Sequence, residues 1–454
     1  MEAMLNNAPP HFVLIFVMEL NCGGASFNTA ELVEETLTSW GAARADFPDL
    51  GHRFSNREQQ ERESMLDDCL GRIERELSHM PRSSAQAERT VSRLTDVAVE
   101  LAMCALGISD SYIDGLLRNS FSAVGADLSR WARQLDPRVS MADVLQACRN
   151  AWTAAALQLL FGLEVKLTPA IFAYSMLYPY SDNYLDDPDV TVETKLSFSN
   201  RFRKRLTGEC PPARDAKEQT IWDLVGLIES QYPRRTHPAV YASLLAIHGA
   251  QQDSLGQLRK NRFDVDLPVL SLSVRKGGTS VLADAYLAAG NLSRQEASFA
   301  FNWGVSLQLS DDLQDLREDS KAGFVTLFST AATKGEPLDN ITSRTFRFGE
   351  AVLASVDGLA GGSAILKQVL LSSFRSLLTR SAACASTHYT DSYLRKLEEY
   401  SPYRFAYLKS RERRAGKHRK SMLRLFELFV SRESMHETHA GFPIGDPHLG
   451  VVAR

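Results

Sequence analysis

From about residue 110 onward the chain repeats one pattern: apolar residues three and four apart within otherwise polar segments, the signature of helices with a buried face. SYIDGLLRNSFSAVGADLSRWARQL, MADVLQACRNAWTAAALQLLFGL and TPAIFAYSMLYPYSDNYLDD show it, and so do HPAVYASLLAIHGAQQDSLGQL and VLSLSVRKGGTSVLADAYLAAG. Alternating β-branched runs and Asn-Gly hairpin turns are missing here, so strands are not expected. Thr168-Pro169 reads as a helix start. Pro188 ends the same helix, because the residue before a proline avoids the helical region. The expected fold class is all-α, a single large antiparallel helical bundle.

The first hundred residues are patterned differently. Polar stretches at 45–65 and 80–89 separate helical pieces predicted at 60–78 and 88–106, and Phe12–Val17 reads as a short strand. The division that follows is an N-terminal extension over 1–107, a helical domain over 108–430 and a flexible tail over 431–454.

Composition narrows the class. The chain has 51 Lys and Arg against 55 Asp and Glu, with 44% hydrophobic and 23% charged residues. It is neither disordered overall nor basic enough for a dedicated nucleic-acid binder. Six cysteines in 454 residues, with no CxxC pair, form no disulfide framework. The apolar run Phe12–Met18 is short. A membrane span needs roughly 20 residues, so a cytoplasmic location is expected.

Charge is concentrated locally. YPYSDNYLDDPD holds Asp182, Asp186, Asp187 and Asp189 at the C-terminal end of an apolar helix. That end already carries partial negative charge, so carboxylates gathered there call for a cation. LQLSDDLQDLREDSKAG holds Asp311, Asp312, Asp315 and Asp319, with Gln308 one turn upstream. Asp311, Asp315 and Asp319 follow an i, i+4, i+8 line, which puts them on one helix face. Hard oxygen ligands in this arrangement suit Mg²⁺, which binds through a few carboxylates, waters and substrate phosphates. An EF-hand is a poor match, because the central Gly and terminal Glu are missing.

DNYLDD and DDLQDLRED, well separated along the chain, resemble the two aspartate-rich motifs of class I isoprenoid synthases, over about residues 110–430. The DxxxD spacing of the first and the DDxxDxxxD spacing of the second are similar to prenyltransferase-like terpene synthases of the tetraprenyl-β-curcumene synthase type. The resemblance implies the isoprenoid synthase bundle, a bound set of three Mg²⁺ ions and a homodimer. It implies Asp182, Asp186, Asp312 and Asp315 as catalytic, and Asp182, Asp186, Asp311, Asp312, Asp315 and Asp319 as metal ligands. VRKGGTSVLADAYLAAG is similar to the helix-break segment that meets the diphosphate, with Lys276, Thr279 and Ser280 as its polar residues. Gly277-Gly278 would permit the break. Gln308 matches the glutamine ahead of the second motif. The isopentenyl-site basic segment and the NSE-type metal motif are both missing, which favours an enzyme with a single substrate.

A departing diphosphate needs cations. Candidates are Lys276, Arg203 with its neighbours Arg201, Lys204 and Arg205, and Arg404 beside Tyr403; each cationic run reads equally as a solvated helix face. Lys409–Arg424 carries eight Lys and Arg against one Glu. It suits a lid over the diphosphate or contact with an anionic membrane surface. Aromatics one to two turns before each cluster are Phe172, Tyr178, Phe301 and Trp303. They would line an apolar cavity and face a carbocation; ordinary core packing is the competing reading. The expected activity is a Mg²⁺-dependent terpene synthase, a carbon–oxygen lyase acting on a linear all-trans prenyl diphosphate. The alternatives are a chain-elongating or head-to-head prenyltransferase, and a non-catalytic regulatory homologue.

Overall fold

Every regular element among the described residues is helical. The structure, a computed structural model, describes residues 28–78, 84–108, 110–186, 190–257 and 269–412. The strand expected at Phe12–Val17, Asp187, Pro188 and Asp189, the basic residues after 412 and the tail 431–454 lie outside them. The helices are α1 (Thr29–Ala42), α2 (Asn56–Ser78), α3 (Ser84–Leu106), α4 (Ser111–Gly115), α5 (Ser122–Leu135), α6 (Met141–Leu160), α7 (Pro169–Asp186), α8 (Val192–Thr207) and α9 (Ala216–Gln231). They continue as α10 (Pro238–Gln257), α11 (Val269–Ala289), α12 (Arg294–Gln314), α13 (Leu316–Ala322), α14 (Leu327–Thr333), α15 (Asp339–Ala354), α16 (Ala364–Cys384) and α17 (Asp391–Glu398). No described helix is long and apolar enough to cross a membrane.

The N-terminal segment does not hang off the bundle. Leu32 and Trp40 of α1, and Leu50 after it, are buried in the main core. The Thr36 hydroxyl donates to Asn302 Oδ1 on α12 at 2.7 Å. Helices α2 and α3 pair around a small core of their own, Cys69, Ile73, Leu94 and Val97. They are fastened to the far end of the chain: Gln59 Nε2 donates to the carbonyls of Glu398 and Ser401, both at 2.9 Å. A domain boundary at residue 107 therefore separates segments that share a core.

Helices α11 and α12 pack closely against each other through facing glycines. The short segment Gly290–Ser293 joins them, so they run antiparallel. A Cβ at Gly304 would fall 2.2 Å from the Gly277 carbonyl oxygen, and one at Gly278 would fall 2.4 Å from the Phe301 ring. The glycine pair expected to break a helix lies inside an unbroken one, α11. Its role is to let a second helix approach backbone to backbone; the missing partner in the sequence reading was Gly304.

Two hydrogen bonds fix the direction of α7. Gln231 Oε1 accepts from the Ala170 amide at 2.9 Å, and the Tyr232 hydroxyl donates to the Leu287 carbonyl at 3.0 Å. The start of α7 therefore lies with the end of α11, and α7 rises toward the end where α11 begins and α12 finishes. Asn150 Nδ2 on α6 sets the register, reaching Ser175 Oγ at 3.3 Å and Asp284 Oδ1 at 2.9 Å. Ser175 to Asp186 and Asp284 to Ser273 are equal steps of eleven positions. Each step is about 16 Å of helix. Asp186 and Ser273 therefore both lie toward the same end of the bundle, where Ser273 touches Asp312. The backbones bearing both aspartate groups are gathered at one end of the bundle.

Gly304→Ala should therefore cost about 2–3 kcal/mol in chemical denaturation, since backbone faces backbone and little can give. On α10 a Cβ at Gly249 meets nothing within 4 Å. Gly249→Ala should be neutral or gain up to about 1 kcal/mol. Equal effects of the two would contradict this account of the contact.

Candidate active site at the aspartate end of the bundle

The second acidic group is built where α12 passes into α13. Buried Phe299, Phe301, Val305 and Leu309 anchor α12 in the core, and the acids follow at its C-terminal end. Asp315 caps α12 with φ −92° and ψ 7°, yet the amide ladder continues: Asp315 N–H donates to the Asp311 carbonyl and Asp319 N–H to the Asp315 carbonyl, each at 2.8 Å. Asp311, Asp315 and Asp319 thereby keep their common face. Gly323, at φ 77 and ψ 22 degrees, ends α13 in the left-handed conformation and turns the chain back. Glycine adopts that conformation without the steric penalty of a side chain. Phe324, Val325 and Thr326 then close one wall of a cleft of about 150 Å³, whose other walls are Ser273 and Lys276 of α11 and Gln308, Asp311, Asp312, Asp315 and Asp319.

Asp312 is the innermost of these carboxylates, only 5% exposed. Ser273 Oγ donates to one of its oxygens at 2.7 Å and Gln308 Nε2 to the other at 2.8 Å. Burial raises its pKa, and those two hydrogen bonds work against the rise. Asp311 is pushed up to about 6, chiefly by burial; Arg149 opposes the shift, and Asp315 and Asp312 add to it. Asp319 is likewise pushed up to about 6, by burial first and then by Asp312 and Asp315. Asp315 is exposed. Partly buried carboxylates crowded in this way favour either protons or a cation between them.

Among the described residues no three His, Cys, Asp or Glu converge closely enough to hold a metal by themselves. The side chains of Asp182 and Asp186 lie outside the described residues, so the first group is placed by its backbone alone. The donor chemistry fits Mg²⁺, which takes one or two carboxylates and completes its shell with water and phosphate oxygens.

Other expected contacts are distributed differently. Lys276 lines the cleft. Gln308 lines it too, but its amide is committed to Asp312, so it positions a carboxylate. The Thr279 hydroxyl is buried and donates to the Arg275 carbonyl of its own helix at 2.6 Å, away from the cleft lining. Arg203 is exposed on α8, where its charge bears on His248; its neighbours Arg201 and Arg205 are paired with Glu218 and Glu229. Arg404 is held by Glu63 on α2, Nε at 3.0 Å and Nη2 at 2.5 Å, and secures the N-terminal helix pair.

The aromatics divide similarly. Phe172 is fully buried and meets Trp131 edge-on at 5.4 Å. Phe301 fills the space over Gly278, and Trp303 packs on Phe374 at 5.9 Å. All three are core. Tyr178 differs: it is 43% exposed and borders a small apolar pocket with Tyr174, Leu177, Phe202, Leu244 and His248. That pocket lies one turn below Asp182 along α7.

Several residues escaped the sequence reading. Ser273 holds Asp312, and Arg149, an isolated cation in the apolar stretch of α6, acts on Asp311. Lys217 at the start of α9 lies over the Tyr184 ring at 4.9 Å, beside the end of α7. Asp284 is the least expected. It is 2% exposed, and Asn150 Nδ2 donates to it. Burial raises its pKa well above the usual carboxylate range. Eleven residues turn an α-helix by three turns plus about 20°, so Asp284 shares the Ser273 face of α11, about 16 Å deeper in the bundle. The visible signal was a single acid inside VLADAYLAAG.

No known protein-family profile matches the chain, and no curated protein does.

A folded-state pKa above the unfolded value gives a contribution that is complete below about pH 4 and is lost as pH rises toward the folded value. Asp284→Asn keeps an acceptor for Asn150 and cannot ionise. Relative to wild type, the variant should therefore gain stability as pH rises from 4 toward 8, by about 1.4 kcal/mol per pH unit until the folded-state pKa is reached. Urea melts across that range check this; a difference independent of pH would mean that Asp284 is not held neutral.

Proposed function

We propose that the chain is a Mg²⁺-dependent class I terpene synthase that ionises a linear all-trans prenyl diphosphate and converts the allylic cation to a cyclic or linear terpene. One observation carries this reading: two aspartate-rich helix segments, far apart in sequence, reach the same end of an all-α bundle, and the second is partly buried with raised pKa values. Asp311, Asp312, Asp315 and Asp319, together with Asp182 and Asp186, are the residues that would hold the ions. Bound Mg²⁺ supplies charge neutralisation for the diphosphate.

The chain's own side chains do the rest. Ser273 and Gln308 fix the Asp312 carboxylate, so it needs no reorganisation when substrate arrives. Lys276 at the cleft and Arg149 near Asp311 present positive charge to the leaving group. The allylic carbon–oxygen bond breaks with its electron pair going to the diphosphate. The hydrocarbon cation then cyclises or loses a proton to a base. Tyr174 and Tyr178, below the first aspartate group, border a small apolar pocket beside α7. Their rings favour a cation by about 0.5–2 kcal/mol each and help keep water away.

Purified protein with Mg²⁺ should convert one of geranyl, farnesyl, geranylgeranyl or geranylfarnesyl diphosphate to a hydrocarbon or alcohol visible by gas chromatography. Asp312→Asn, which keeps the shape of the side chain, should lower kcat by roughly 10²–10³-fold. No product from any of the four would overturn the proposal. A product formed only when a second diphosphate is added would move the reaction to prenyl transfer.

A further inference from the structure

Helix α7 carries Pro179 inside it, just ahead of the first aspartate group. Proline has no N–H to give the carbonyl four residues back, and its ring presses on that carbonyl. The turns after Pro179 are therefore tied to the rest of α7 by a weakened ladder, and their orientation needs support from outside. Two tyrosines supply it. The Tyr180 hydroxyl donates to Oδ2 of Asp136, the residue that ends α5, at 3.0 Å. The Tyr184 ring meets Phe198 of α8 edge-on at 5.0 Å between centroids, and Lys217 Nζ of α9 lies 4.9 Å from its centre.

The Lys217 contact belongs to the pairing of α7 with α9. The two helices run antiparallel: Ala170 meets Gln231 and, fourteen positions on along α7 and fourteen back along α9, Tyr184 meets Lys217. A helix turns by about 100° per residue, so position 184 lies directly opposite the midpoint of 182 and 186. Position 180, one turn back, shares the side of 184. The tyrosine side of this last stretch is therefore the side held by α8, α9 and the end of α5. The face that carries positions 182 and 186 is turned away from those contacts. Helix α11, which bears Ser273 and Lys276, also packs against α7.

We propose that Tyr180 and Tyr184 are positioning residues for the first metal-binding group. Held from behind by Asp136, Phe198 and Lys217, they set the rotation of the last turn of α7 and so the direction in which positions 182 and 186 face. The proposal rests on the reading of the aspartate groups as Mg²⁺ ligands. It gives the first group a counterpart to the support that Ser273 and Gln308 give Asp312 in the second. The means differ: Asp312 is fixed by direct hydrogen bonds, whereas the first group follows a proline and is fixed through its backbone. Partners that orient metal ligands act on affinity for the ion, so loosening either tyrosine weakens metal binding before it weakens the fold.

The test is Mn²⁺ binding to the full chain with inorganic diphosphate, read from the electron paramagnetic resonance signal of the free ion. Tyr184→Leu should weaken Mn²⁺ binding roughly tenfold, and Tyr184→Phe, which keeps the ring, should recover most of that loss. Tyr180→Phe loses only the hydrogen bond to Asp136 and should weaken binding by a smaller factor, with the metal-free melting temperature within about 2 °C of wild type. In turnover the half-maximal rate should need more Mg²⁺ while kcat at saturating Mg²⁺ is nearly unchanged, a split that a merely structural role would not produce. If Tyr184→Leu fails to fold, Tyr180→Phe decides. Unchanged Mn²⁺ affinity in Tyr180→Phe, or equal losses in Tyr184→Phe and Tyr184→Leu, would overturn this proposal and leave the synthase reading standing. No Mn²⁺ uptake by the wild-type chain would overturn both.

Discussion

The arrangement of the acidic end depends on how closely α11 and α12 approach. Gly277 and Gly304 face each other with no room for a Cβ on either side, and Phe301 occupies the space left by Gly278. This contact lies about one turn below the cleft. It brings Ser273 within reach of Asp312 and sets Gln308 against Gly277, so that both donors meet one carboxylate. Moving the helices apart by the width of a methyl group would break the short Ser273–Asp312 bond, and the innermost acid would lose its fixed position. Glycine lowers intrinsic helix stability by up to about 1 kcal/mol per residue, and here packing outweighs that loss.

Electrostatics follow from this placement. Burial makes the charged forms of Asp311, Asp312 and Asp319 unfavourable, and repulsion from neighbouring carboxylates adds to it. Folding alone gives no reason to gather them, whereas a cation at the cleft does. Asp284 lies deep in the core, where burial raises its pKa well above the usual carboxylate range; Asn150 donates to it, and it forms part of a polar link among α6, α7 and α11. The same residue type therefore meets different surroundings at the rim, crowded by other carboxylates, and in the interior, beside a hydrogen-bond donor.

The helices after residue 110 were legible because the spacing of apolar residues records which face is buried, and that signal is local. The i, i+4, i+8 line of Asp311, Asp315 and Asp319 was legible for the same reason. What could not be read were pairings between segments. Gly277-Gly278 looked like a break because its partner Gly304 lies on another helix. Arg404 looked free because Glu63 is hundreds of residues away in sequence, and nothing near Ser273 in sequence marks Asp312 as its partner. The docking of α1 rests on a few large side chains, Leu32 and Trp40 among them, too few to mark the segment as core. Phe172, Phe301 and Trp303 show the limit for aromatics: proximity to an acidic motif along a helix does not tell which face they occupy.

The central claim, that both aspartate groups hold divalent cations around a diphosphate at one end of the bundle, is tested most directly by crystals grown with Mn²⁺ and inorganic diphosphate and measured for anomalous scattering. The account predicts Mn²⁺ peaks within coordination distance of carboxylates from both α7 and the α12–α13 junction, with diphosphate between them. Ordered diphosphate elsewhere, or a cleft without anomalous peaks at saturating Mn²⁺, would contradict it.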